Sequence, residues 1–91
     1  MQSLPAPEVT RGARGAIARR WSNAALQCEV ALARTQSELD RCQREVALHR
    51  LTGHEPGAIQ LQRISVLQLR CDALARELTH HRLAIAGLRA S

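Results

Sequence analysis

The side chains best suited to chemistry in this chain are three cysteines and four histidines. Cys28, Cys42 and Cys71 are separated by 14 and 29 residues, a spacing that matches neither a disulfide framework nor a zinc module. Free cysteines of this kind favour a reducing compartment, so we expect a cytoplasmic protein. His80 and His81 are adjacent, and on a helix their side chains would diverge by about 100 degrees, too far to share a metal ion easily. The sequence therefore predicts no metal site.

Recognisable catalytic motifs do not occur in the sequence. It contains no glycine-rich phosphate loop, nucleophile elbow or CxxC motif. Trp21 is the one residue among Phe, Tyr and Trp, whereas ligand pockets and base-stacking platforms both depend on aromatic side chains. His54 and Glu55 lie between Gly53 and Pro56, and we interpret them as the surface of a turn. We therefore expect neither an enzyme nor a cofactor, and no catalytic or cofactor-binding residues.

The net charge of +5 is concentrated near the beginning of the chain. Arg11, Arg14, Arg19 and Arg20 occur in residues 11–20 without any acid, and outside this decade nine arginines nearly balance eight acids. A basic arm that binds nucleic-acid phosphates is one interpretation of this cluster. A flexible, solubilising tail is favoured, because the charges are not accompanied by a helix that could contact base edges or by aromatic side chains that could stack on bases. Nucleic acid is therefore not the expected partner.

Helix-forming composition begins after a short arm. Residues 1–12 contain two prolines among polar residues, and Gly12 and Gly15 weaken any helix that follows them. We expect residues 1–15 to form a flexible basic arm. Alanine, leucine, glutamine, glutamate and arginine dominate from residue 16 onward, and all are strong helix formers. No apolar run approaches the roughly 18 to 20 residues that a membrane span requires, so we expect no membrane insertion.

Two segments carry a heptad pattern with polar flanks. In the first, the residues spaced by alternating steps of four and three are Trp21, Ala25, Cys28, Leu32, Thr35, Leu39, Cys42, Val46 and His49. In the second they are Ile64, Leu67, Cys71, Leu74, Leu78, His81, Ile85 and Leu88. The pattern predicts helices over 16–52 and 57–88. The seam between these helices would rest chiefly on Leu32, Leu39, Val46, Leu67, Leu74 and Leu78.

The connection between the helices predicts how they pack. Gly53 suits the left-handed residue that ends a helix, Pro56 suits the first turn of the next, and the turn covers 53–56. So short a link makes neighbouring helices antiparallel. The predicted fold for 16–91 is therefore an all-α, coiled-coil-like hairpin, completed by self-association or by a partner. Two registers of the helix pair fit the pattern. In one, the numbers of two residues that face each other across the seam add up to 113, and Cys42 would face Cys71. In the other, the two numbers add up to 106.

Further apolar residues lie outside the seam. Leu26, Val30 and Ala33 form a short stripe on the first helix, and the second helix carries Ile59, Val66, Leu69 and Ala73 behind the seam. Burial of a leucine or valine side chain is worth about 1.5 to 3 kcal/mol, so such spacing favours a second contact surface. The predicted partner-binding residues are Trp21, Leu26, Val30, Ile59, Val66 and Leu69.

Residues 42–79, "CQREVALHRLTGHEPGAIQLQRISVLQLRCDALARELT", resemble a known family in plan. Pro56 at the turn, Gln60 and Gln62 after it, and the seam from Leu67 to Leu78 are similar to the small YscE-type co-chaperones of type III secretion needle subunits. The arginine-rich arm and the lack of an aromatic residue near the second helix depart from that pattern. The resemblance implies a hairpin that pairs with a helical-repeat chaperone, so that both keep the needle subunit monomeric until export.

The functional prediction is therefore a non-enzymatic hairpin that binds protein, with the co-chaperone role as its narrower form. A self-associating four-helix bundle with a structural role is the first alternative. A basic accessory protein that binds nucleic acid is the second.

Overall fold

The computed structural model describes the backbone of residues 6–90 and the side chains of residues 12–90. It contains helix α1, Ala6–Leu51, and helix α2, Ala58–Ala90. The two helices pack side by side in opposite directions and form a rod with principal extents of 82 × 19 × 14 Å. The predicted all-α antiparallel hairpin is confirmed.

Helix α1 begins at Ala6, inside the segment 1–15 that we expected to be a flexible arm. Residues 1–5 lie outside the described part of the chain. Pro7 falls in the first turn of the helix, where the backbone N–H that proline lacks has no intrahelical partner. Once the packed part of α1 is helical, extension needs no new nucleation, because each added residue brings one hydrogen bond. Gly12 and Gly15, at about 1 kcal/mol each, do not end the helix.

The end of α1 is closed by a left-handed residue. Gly53 has a φ of 79°, a conformation that glycine adopts without the steric cost of a side chain. The backbone N–H of Gly53 donates to the carbonyl of Arg50 at 3.2 Å, and that of His54 donates to the carbonyl of His49 at 2.7 Å. These bonds satisfy two of the carbonyls that the last helical turn would otherwise leave without partners.

The start of α2 is capped by its own side chain. The backbone N–H of Gly57 donates to Oε1 of Gln60 at 3.0 Å, which is one half of a capping box. Pro56 precedes this cap and lies just outside the helix rather than in its first turn. The cap fixes where α2 begins and hence where the chain finishes its reversal.

Contacts across the seam select one of the two predicted registers. The thiol of Cys28 donates to the carbonyl of Leu74 at 3.2 Å, and Cys28 shares a buried cluster with Leu78. The ring of Trp21 lies 5.2 Å from the ring of His81, between centroids. All three contacts fit the register in which facing positions sum to 106, where Cys28 lies opposite Leu78. They do not fit the register that sums to 113.

Ion pairs on both sides of the seam fit the same register. Glu38 pairs with Arg63 on one side, and Glu29 pairs with Arg82 at 2.6 Å on the other. The first pair joins g positions and the second joins e positions, which are the flanking positions that meet in antiparallel coiled coils. Each pair therefore links the two helices along one side of the seam.

This register separates the two cysteines that the other register would bring together. Cys42 lies beside Gln60 and Arg63 in a groove near the turn, and Cys71 takes the position opposite Thr35. The structure records Cys42 and Cys71 as free thiols. The alternative in which Cys42 faces Cys71 is therefore wrong.

Every heptad position named for the seam is buried or half-buried. Among the predicted seam residues, Val46, Leu67 and Leu78 are buried, and Leu32, Leu39 and Leu74 are half-buried. The other buried residues are small: Ala25, Cys28, Thr35 and Cys42. Burial raises the pKa of the Cys28 thiol, so this thiol stays protonated and able to donate. The hydroxyl of Thr35 donates to the carbonyl of Ala31 at 2.7 Å, which satisfies the one buried polar side chain of the described core.

Candidate interaction surfaces

The outward side of α2 carries a line of exposed apolar side chains, which we name the α2 stripe: Ile59, Val66, Leu69 and Ala73. Ile59 is 82% exposed, Val66 55% and Leu69 69%. They occupy heptad positions c and f, outside the seam, and α1 leaves them exposed, although Ile59 also borders the groove that contains Cys42. The stripe is an apolar surface without a partner in the described chain.

The sequence prediction missed one member of this surface. Leu83 is 68% exposed and occupies the same heptad position as Leu69, two heptads further along α2. It extends the apolar surface toward the end of the helix. The signal was present in the sequence, because the spacing of 14 residues preserves the helical face.

A second apolar surface lies on α1, and we name Leu26, Val30 and Ala33 the α1 patch. Leu26 is 58% exposed and Val30 42%. Leu26 also lines a groove of about 440 Å³ between the helices, whose other apolar walls are Ala25, Ile85 and Ala86. The patch therefore continues into an apolar groove on the side of the hairpin where Glu29 and Arg82 pair.

The two surfaces point in opposite directions. Each faces away from the seam on its own helix, and in a two-helix hairpin the outward sides of the helices are on opposite sides of the rod. The α1 patch at positions b and f and the α2 stripe at positions c and f therefore cannot be covered by one straight helix. The residues that the sequence grouped as one contact surface form two separate surfaces.

Trp21 packs within the hairpin. Its ring lies 5.2 Å from the ring of His81 and 6.1 Å from that of His80, between centroids. Trp21 and His81 are half-buried at seam positions, whereas His80 is exposed. The ring thus contributes to closing the open end of the hairpin, and we do not include Trp21 in either outward surface.

The turn brings a hydroxyl and two imidazole rings close together. The hydroxyl of Thr52 lies 3.0 Å from Nδ1 of His54, and the rings of His49 and His54 are 6.4 Å apart between centroids. His54 and Glu55 are exposed. Over the described residues, no group of three or more His, Cys, Asp or Glu side chains could hold a metal ion. Neither helix contains, in its described part, a stretch long and apolar enough to cross a membrane.

The ion pair between Glu38 and Arg63 predicts a modest loss of stability in acid. The hydrogen bond from Arg63 holds the pKa of the Glu38 carboxyl below its ordinary value. The stabilisation is therefore complete above that ordinary value, about 4.3, and is lost as the pH falls through the lower pKa of the folded state. We expect the thermal midpoint, measured by circular dichroism, to fall more steeply below pH 5 for the wild type than for Glu38→Gln.

Glu55→Gln is the matched control for this measurement, since Glu55 is exposed in the turn and forms no ion pair with the described residues. Its midpoint should follow the wild-type curve. Parallel curves for Glu38→Gln and the wild type would show that the pair contributes nothing to the pH dependence.

Comparison with known proteins adds no relative to this description. The chain matches no protein-family model, no curated protein and no solved structure.

Proposed function

We propose that this chain is a non-enzymatic hairpin that binds other proteins by docking helices on its outward apolar surfaces. The observation that carries the proposal is the exposure of Ile59, Val66 and Leu69 on one face of α2. Large apolar side chains that share a helical face and lie outside the core are typical of protein interaction sites.

The energetics support a bound rather than a free state for these side chains. Burial of each large apolar side chain is worth about 1.5 to 3 kcal/mol, and the hairpin leaves six such residues of the two surfaces largely exposed: Leu26, Val30, Ile59, Val66, Leu69 and Leu83. Their burial would contribute on the order of 10 kcal/mol, which is comparable to the whole stability of a small domain. A partner that covers them would therefore stabilise the hairpin substantially.

The shape of the surfaces favours a helical partner. The outward side of α2 is a straight ridge about 50 Å long, and its apolar residues recur at helical spacing. A second helix can lay an apolar face along such a ridge, with side chains anchored at intervals of three and four residues. The groove beside Leu26 offers a comparable seat on the other side of the rod.

The resemblance of residues 42–79 supports a narrower form of the proposal. In that form the partner is a helical-repeat chaperone, and the pair keeps a secretion needle subunit monomeric until export. The test is co-expression of the needle subunit with the chaperone, with and without this chain. A soluble needle subunit that depends on all three chains would support the narrower form, and solubility independent of this chain would remove it.

Surface variants test the general proposal. We expect Val66→Glu and Leu26→Glu to retain the helical circular dichroism signal, because both side chains are exposed. Each should reduce co-purification from the native cells of the chain that covers its surface, with a tagged second copy of this protein included among the candidates. We expect a reduction of at least about tenfold, quantified by mass spectrometry. The physical reason is that a glutamate at the centre of an apolar contact would be desolvated without a partner.

Gln36→Glu provides the matched control. Gln36 is exposed on α1 outside both surfaces, so the variant adds the same charge without touching the proposed contacts. It should keep the wild-type set of partners. If Val66→Glu and Leu26→Glu also kept that set, the proposal would fail.

A further inference from the structure

Helix α2 differs from α1 in the charge of its outward side, which we define as heptad positions b, c and f. Every residue at these positions of α2 is exposed, and the charged ones are Asp72 and Arg76. On the described outward side of α1, the charged residues are Arg19, Arg20, Arg34, Asp40, Arg41 and Arg44. Both outward sides expose four large apolar side chains: Leu26, Val30, Leu48 and Leu51 on α1, and Ile59, Val66, Leu69 and Leu83 on α2. The outward side of α2 differs in carrying two charged residues, whereas that of α1 carries six.

A helix face with few charges is the easier one to bury, because each buried charge needs a partner. The seam covers one side of α2. On the other side, Ile59, Val66, Leu69 and Leu83 are between 55% and 82% exposed. The lower charge of its outward side makes α2 better suited than α1 to the inside of a larger assembly.

The two charges on this face identify the occupant. Asp72 at position b and Arg76 at the neighbouring position f have opposite signs, lie four residues apart, and form no ion pair with the described chain. The point halfway between Asp72 and Arg76 is residue 74, which is also the midpoint of helix α2, Ala58–Ala90. A two-fold axis through that point would align two antiparallel α2 helices over their full length. It would also place Asp72 of each copy beside Arg76 of the other.

The same axis brings two of the large apolar residues together. Val66 of one copy would lie next to Leu83 of the second copy, and the reverse contact would follow by symmetry. Ala73, near the axis, is small enough to let the two helices approach closely. A self-complementary face of this kind is the requirement for a two-fold interface, in which residue i contacts residue j and j contacts i.

We propose that the outward side of α2 is the interface of a symmetric homodimer, in which two hairpins join through antiparallel α2 helices and leave the α1 patches outside. The inference rests on the proposed protein-binding function and specifies the partner of the α2 stripe as a second copy. The four helices then form one bundle with α2 and its copy at the centre.

A charge reversal in the full-length chain tests this geometry. We expect the wild type to be a dimer by sedimentation equilibrium, with a Kd at or below about 10 µM. Asp72→Arg and Arg76→Asp should each weaken the dimer at least about tenfold, because like charges would meet twice across the axis. The double variant should return to within about threefold of the wild type, since the exchanged charges pair again.

Apolar variants provide the second measurement. Leu69→Glu should weaken the dimer at least about a hundredfold, whereas Leu48→Glu, which adds the same charge at an exposed position of α1, should leave it unchanged. Circular dichroism should show intact helices in all variants. A monomeric wild type at about 100 µM, or a double variant as weak as the single ones, would overturn the proposal.

These outcomes are separable from the proposed function. A monomeric chain that still lost a heterologous partner with Val66→Glu would overturn the dimer and keep the protein-binding function. A dimer with the expected charge-reversal behaviour, in a chain whose co-purifying proteins did not respond to Leu26→Glu, would keep the dimer and overturn heterologous binding at the α1 patch.

Discussion

Leu78→Asp is expected to unfold the hairpin. The Leu78 side chain is 6% exposed and lies in the cluster that holds Ala25 and Cys28. Loss of a buried leucine costs about 2 to 5 kcal/mol, and an unpaired carboxylate in the same place adds several kcal/mol of desolvation. Small domains have a total stability near the lower end of about 5 to 15 kcal/mol. The helical circular dichroism signal and the cooperative thermal transition should therefore both be lost.

Leu48→Asp is the control for that change. Leu48 lies on α1 with 61% of its surface exposed, so the same substitution buries no charge and should alter the free energy of unfolding by about 0.5 kcal/mol. The comparison removes the intrinsic helix propensity of aspartate from the result. A Leu78→Asp variant that melted within a few degrees of Leu48→Asp would contradict the seam as described.

Thr35→Cys is expected to create a disulfide with Cys71. In the register that sums to 106, these residues face each other across the seam, and Thr35 is buried there. The bond would close a loop of about 36 residues, which stabilises a protein by about 3 to 4 kcal/mol in the chain-entropy model. Non-reducing peptide mapping by mass spectrometry should identify the bond after oxidation. The thermal midpoint should rise under oxidising conditions and return when the bond is reduced.

The wild-type chain supplies the control for this prediction. The register that sums to 113 would place Cys42 opposite Cys71, and these cysteines are free thiols in the structure. Oxidation of the wild type should therefore yield no bond between them. Recovery of a peptide that joins Cys42 to Cys71 would show that the hairpin adopts the other register in solution.

The seam positions were predictable because burial follows a period that the sequence displays directly. Even the polar members, Thr35 and His49, occupy half-buried or buried positions. Their chemistry alone would not have placed them there, but their spacing did. The apolar residues of an amphipathic helix allow few choices of which side faces inward. If the heptad assignment is shifted by one position, the whole apolar set moves away from the seam.

The register was not predictable from the same pattern, because a shift by one heptad preserves it. The flanking charges do not resolve the ambiguity either. Arg63 and Arg70 occupy equivalent positions on α2, so Glu38 finds an arginine in both registers, and Arg82 and Arg89 are equivalent in the same way for Glu29. The decision comes from the turn, where hydrogen bonds at His54 and Gly57 fix the reversal of the chain.

The outward surfaces show both the strength and the limit of residue patterns. The exposed residues Leu26, Val30, Ile59, Val66 and Leu69 were identified from spacing alone, and the structure leaves each of them in solvent. That they belong to two opposite surfaces required the helices to be placed side by side. The early start of α1 was missed for a different reason, since propagation from a packed segment overrides weak local propensity.

Contacts between the two helices join residues that lie further apart in sequence as their distance from the turn increases. The ion pair nearer the turn joins residues 25 apart in sequence, whereas the pair nearer the open end joins residues 53 apart. A doubling of the enclosed loop raises its closure cost by about 0.6 kcal/mol. Pairing can therefore advance outward from the turn in small steps, and we expect thermal opening to begin at the opposite end, where the rings of Trp21 and His81 meet.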